Sequence, residues 1–236
     1  MTYRLQFTEK MIGAFTFGET DYRAGYDAGQ GSGSDLMFRL TIATDDVYAF
    51  IADPAHLAVA QGYVQSEVLG GRRTVDAGVF NLFVDEGPRT RHMLYRLYFS
   101  DATGRPLTLA GYKDVREGPI TRVWPETSTL YVHVLAGHVP VTDGGATATE
   151  GRAGATEGRA GATEGRAGST EGRAGATEGI VGSGVLRIRP LDFARQLTTF
   201  RVHGPDRMGE LRAFDAFARL FIGELWQVFD PLRRER

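Results

Sequence analysis

The sequence predicts a mainly β protein, an antiparallel β-barrel or strongly curved sheet of about 8–10 strands with a C-terminal amphipathic helix packed on it. The alternative is an α+β arrangement. Three observations lead there. Apolar and polar residues alternate with a period of two over most of the chain; Gly, Asp and Pro punctuation divides the alternating runs; and only three segments read as helical.

The clearest strand is Leu36-Met37-Phe38-Arg39-Leu40-Thr41-Ile42, in which Leu36, Phe38, Leu40 and Ile42 fall on one face and Arg39 and Thr41 on the other. Residues 3–8, 62–69, 79–84, 92–99, 107–113, 120–124, 129–135 and 185–189 read the same way. Such closely spaced strands favour antiparallel meanders over a parallel α/β sheet.

The helices are expected at residues 45–51, where Asp45 and Asp46 offer a cap and Pro54 a stop; at 190–197, opened by Pro190; and at 207–229. The last carries Leu211, Phe214, Ala218, Phe221, Leu225 and Val228 at spacings of three and four, extended by Phe217 and Leu220. That stripe is a packing face for the sheet or, alternatively, for a partner.

Between Ala148 and Gly179 the heptad ATEGRAG recurs almost without change. It lacks the large apolar seam of a coiled coil, and two Gly per unit oppose a helix by about 1 kcal/mol each. Its polar composition cannot offset the entropy of ordering it. Residues 144–182 are therefore expected to be a disordered Gly-rich insert, and residues 1–143 together with 183–236 a single β-rich domain.

The 236 residues carry 27 basic and 29 acidic side chains, a net charge of −2, and no Cys. That balance gives no electrostatic reason for a nucleic-acid partner, and the missing Cys excludes disulfides, thiol nucleophiles and Cys-ligated metals. The first ten residues have no apolar core of a signal peptide and no segment reaches the length of a spanning helix, so no transmembrane segment and a cytoplasmic location are expected. Gly29-Gln30-Gly31-Ser32-Gly33-Ser34 lacks the third glycine of a dinucleotide fingerprint at position 34, and reads as a turn. His133 and His138 have no carboxylate between them, so neither a metal nor a cofactor is expected.

Lys113 stands out as one of only two lysines, beside Lys10, at the end of a predicted strand. It is either a buried cation paired with Asp85, Glu117 or Glu126, or part of a surface ion pair. With Glu126 and His133 it forms the candidate acid–base set of a small hydrolase or isomerase. Trp124, Tyr95 and Tyr131 are candidates for lining a ligand pocket.

At Phe7-Thr8-Glu9-Lys10-Met11-x-Gly13, Gly78-x-Phe80-Asn81-Leu82-Phe83, Met93-x-Tyr95-Arg96-Leu97, Gly111-Tyr112-Lys113, Trp124-x-Glu126-Thr127-x-Thr129-Leu130-Tyr131 and Asp192-Phe193-Ala194-Arg195-Gln196-Leu197-Thr198-Thr199, the chain resembles a bacterial accessory module of glucose-methanol-choline flavin oxidoreductases of the cholesterol-oxidase kind. The resemblance implies a link to sterol or lipid oxidation, with a flavin-dependent oxidase as partner. It does not carry over the flavin fingerprint, which has no matching positions. The expected function is thus a non-catalytic accessory or ligand-binding barrel that takes an apolar small molecule. The acid–base enzyme and a protein-interaction scaffold are the alternatives.

Overall fold

The computed structural model describes residues 1–87, 90–116, 123–140 and 179–229, with residues 123 and 225–229 as backbone only. The ATEGRAG copies, Glu117 and the C-terminal Arg233-Arg234-Glu235-Arg236 lie outside the described residues.

In chain order the elements are β1 (Arg4–Phe17), α1 (Tyr22–Gly29), β2 (Asp35–Thr44), α2 (Val47–Ala52), β3 (Leu57–Ser66), β4 (Gly71–Thr74), β5 (Ala77–Asp85), β6 (Thr90–Ser100), β7 (Pro106–Arg116), α3 (Val123–Ser128), β8 (Thr129–Ala136), β9 (Ile180–Arg187), α4 (Pro190–Leu197), β10 (Arg201–His203) and α5 (Arg207–Phe229). Strands β1, β2, β3, β5, β6, β7, β8 and β9 pair antiparallel in that order, and β9 returns to β1, which closes an eight-stranded barrel. The short β4 and β10 extend β3 and β1 outside the ring.

Closure depends on the length of β1. Its 14 residues pair with β2 along most of their course, while the other edge is shared. Ile12–Phe17 pair with β9, and Arg4–Gln6 with β10. Beside the stretch between them sits α4, tied to β1 by Lys10 facing Asp192 at 3.9 Å and, two residues past the helix, by the Thr8 amide donating to Thr199 Oγ1 at 2.8 Å.

The alternation in sequence becomes inside and outside of the barrel. Leu36, Phe38, Leu40 and Ile42 of β2 and Leu97, Phe99, Leu107 and Leu109 of β6 and β7 are buried in one core, whereas Arg39, Gln61 and Gln65 face solvent. This is the inverse of the apolar-out, polar-in pattern of a membrane-spanning barrel. No helix among the described residues is long and apolar enough to cross a membrane.

The mainly β barrel with a C-terminal helix agrees with the sequence expectation, and the three expected helices form as α2, α4 and α5. Beyond shifts of strand bounds and the two short strands β4 and β10, four details differ. Residues 123 and 124, expected to end a strand at 120–124, instead open helix α3, because Pro125 and Glu126 suit a first helical turn, where a missing N–H costs nothing; residues 120–122 lie outside the described residues. Strand β9 starts at Ile180, with Gly182 paired to Phe17 and Val134, so residues 180–182 belong to the barrel.

Helix α1 was masked in the sequence by its glycines. Asp21 caps it by accepting the Ala24 amide at 2.8 Å, and Gly25 and Gly29, four apart, face the barrel wall. A Cβ on Gly25 would strike the Ser183 carbonyl, and one on Gly29 would lie 2.7 Å from that of Phe15. The glycines let a helix lie directly on β1 and β9.

Helix α5, finally, buries Gly209, Ala213 and Phe217 and leaves Leu211 65% and Phe214 44% exposed. The small residues let this face approach Tyr3 closely, which turns the helix away from the seam that hydrophobicity alone selects. The side chains of Leu225 and Val228 lie outside the described residues.

Candidate functional site

The two ends of the barrel are filled differently. Phe15, Leu36, Leu97, Phe99 and Leu109 are fully buried and close one end with side chains. Toward the other end a cavity of about 580 Å³ remains, walled by Leu5, Phe7, Ile42, Phe80, Leu82 and Met93. Helices α4 and α5 roof it with Phe193, Leu197, Phe214, Phe217 and Phe221. The bulge in β5 helps shape this wall. It puts the consecutive Leu82 and Phe83 both inside, holds Phe83 at φ 52°, and sets its ring 5.3 Å from that of Phe221. His56 Nδ1, 2.8 Å from the Leu82 carbonyl oxygen, braces the bulge.

Among the described residues, two charged side chains line this cavity, Glu9 and Lys113. Each occupies an inward position in an apolar series: Leu5, Phe7, Glu9, Met11 on β1 and Leu107, Leu109, Gly111, Lys113, Val115 on β7. Lys113 Nζ donates to Glu9 Oε1 at 2.6 Å, and the Tyr95 hydroxyl donates to Glu9 Oε2 at 2.7 Å. Both charged residues are only 2% exposed. Such a pair is tolerable in an apolar interior because each carboxylate oxygen has a donor. Burial, the Glu9 charge and the hydrogen bond to Glu9 push the Tyr95 phenol well above its usual range, so it remains a donor.

The sequence candidates separate between the two faces of the sheet. Lys113 and Tyr95 come together inside, and Lys113 is buried and paired with Glu9 rather than with Asp85 or Glu126, while Glu117 lies outside the described residues. Asp85 instead faces Arg91 at 3.2 Å. Trp124 lines the cavity, edge-on to Phe193 with centroids 4.9 Å apart. His133 pairs with Ala110 on β7, three residues from Lys113, and so projects from the opposite face of the sheet.

On that outer face His133 and Tyr131 pack with Tyr22 of α1 and Tyr112. His133 Nε2 lies 3.0 Å from the Thr20 carbonyl, and its Nδ1 lies 3.2 Å from the Tyr22 hydroxyl. Burial pushes Tyr112 up to about 12 and Tyr22 higher still. Glu126 accepts the Arg116 amide at 2.7 Å. Of the candidate acid–base set Lys113, Glu126 and His133, Lys113 and His133 therefore lie on opposite faces of the sheet and do not converge.

Glu9 is the residue that sequence reasoning passed over. Its signal was available: a carboxylate at an inward-parity position between Phe7 and Met11. The described residues contain no group of three or more His, Asp or Glu side chains placed to hold a metal ion. No protein-family model matches the chain, and neither a curated protein nor a solved structure matches it.

Proposed function

We propose that this protein is a non-catalytic binding module that holds one apolar small molecule inside its barrel. The observation that carries this reading is the cavity itself. It measures about 580 Å³, is walled mostly by aliphatic and aromatic side chains, and among the described residues holds one mutually neutralising pair of charges. Eight-stranded barrels either fill their interior or enclose one small ligand, and pockets for such ligands run to roughly 300–1,000 Å³. Trp124, Phe214 and Ile222, 38%, 44% and 62% exposed, line the cavity and still reach solvent. They supply an apolar mouth for entry.

The sequence resemblance adds a partner to this reading, a flavin-dependent oxidase acting on sterols or other lipids, to which the barrel would present or from which it would accept a ligand. That part rests on the resemblance alone.

The test is titration with a neutral apolar dye and native mass spectrometry after exposure to lipids. Saturable binding of one molecule per chain is expected, and an Ala218→Phe substitution, which puts a ring into the cavity from the roof, should abolish it without loss of fold. Absence of saturable binding by the unsubstituted protein would overturn the reading.

A further inference from the structure

Resting on the reading of the cavity as a ligand site, we infer that its ligand is an uncharged alcohol, a long-chain or polycyclic molecule whose hydroxyl is read by Lys113 and Glu9. The pair lines the cavity and sums to zero charge. A ligand carboxylate would have to share Lys113 with Glu9 and bring a second negative charge beside it in an apolar surrounding, where like charges repel strongly. A hydrocarbon would leave polar capacity unused. The ammonium has three N–H donors, and among the described residues one goes to Glu9 and the Tyr95 ring lies 5.2 Å from Nζ. Each Glu9 oxygen receives one donor and keeps a free lone pair.

A hydroxyl accepts and donates through one oxygen, so it satisfies ammonium and carboxylate together, whereas a ketone or ester only accepts. A second feature of the wall agrees. Gln196 of α4 lines the same cavity, and its Oε1 is buried with no hydrogen-bond partner among the described residues. It too asks for a donor, which an alcohol or diol supplies and a ketone, ester or carboxylate does not.

The experiment compares dodecanol, dodecanoate and dodecane, equal in chain length, by displacement of a neutral dye from the full chain. Dodecanol is expected to bind about tenfold or more tightly than dodecane, the gain of a hydrogen bond to a charged group, with dodecanoate weaker than dodecanol. In the double variant Glu9→Leu with Lys113→Met, which replaces the pair with apolar side chains, the preference for the alcohol over dodecane should collapse to near one while dodecane still binds. Dodecanoate binding more tightly than dodecanol, or dodecane binding as well as dodecanol to the unsubstituted protein, overturns the inference and leaves the apolar-cavity reading standing. Failure of all three to bind overturns both.

Discussion

Lys113 Nζ and Glu9 Oε1 lie 2.6 Å apart across the interior of the barrel, on strands β7 and β1, which are not neighbours in the sheet. The pair joins residues 104 positions apart in sequence and couples opposite walls of the cavity. Its worth is best seen when it is halved.

Removing one partner leaves a buried charge without its counter-ion. Glu9→Leu or Lys113→Met alone should each lower the free energy of unfolding by about 3–5 kcal/mol, whereas the double variant should recover most of that loss. Urea denaturation of the three proteins checks it. Equal losses in the single and double variants would mean that packing, and not charge, sets the cost.

Tyr95→Phe removes one of the donors to Glu9 while keeping the ring against Phe80, whose centroid is 4.9 Å away. A loss of about 1.5–3 kcal/mol is expected for a buried hydrogen bond to a charged acceptor. The same denaturation measurement reads it, and a neutral result would show that Lys113 alone satisfies the carboxylate.

Much of this fold is legible locally and its site only in part: Lys113, Tyr95 and Trp124 stand out in the sequence and line the cavity, whereas Glu9 is marked only by its inward parity. Leu36 to Ile42 alternates in sequence as it does in space, so β2 and strands like it follow from period two. Closure does not, because it depends on β1 running 14 residues and changing partner from β10 to β9 along one edge. Nor does any local pattern reveal that Lys113 meets Glu9. Inward parity marks both residues as unusual, but only barrel closure makes them face each other. Leu211 shows the converse: its spacing assigns it to the buried stripe, yet the close approach of Gly209 to Tyr3 rotates it into solvent.

Alkaline pH should destabilise the protein. Tyr95, Tyr22 and Tyr112 all have phenols raised from the usual value of 10.0, each chiefly by burial. A raised phenol retains its proton in the folded state when the unfolded chain has lost it. Folding is therefore favoured fully below pH 10, and the advantage is lost as pH rises above that value. Unfolding free energy measured from pH 8 to pH 12, with phenolate absorbance followed in parallel, should fall above pH 10. In the native protein these three phenols should titrate above the usual value of 10.0. A flat profile would contradict the burial of their hydroxyls.

The seam between β1 and β9 should tolerate no added side chain. A Cβ on Gly13 would run into the Val185 carbonyl and lie 2.9 Å from the Leu186 Cα, and one on Gly184 would sit 2.6 Å from the Phe15 Cα. These obstacles are largely backbone on the facing strand, so relief requires the strands to part, and parting them opens the barrel. Gly13→Ala and Gly184→Ala should each cost about 3 kcal/mol or more, the upper range for overpacking a close-fitted interior. Amide exchange should quicken selectively in Ile12–Phe17 and Gly182–Arg187, the residues paired across the seam, while the β6–β7 pairing keeps its protection. Uniform loss of protection would instead mean that the barrel unfolds as one unit and that the seam holds the whole ring closed.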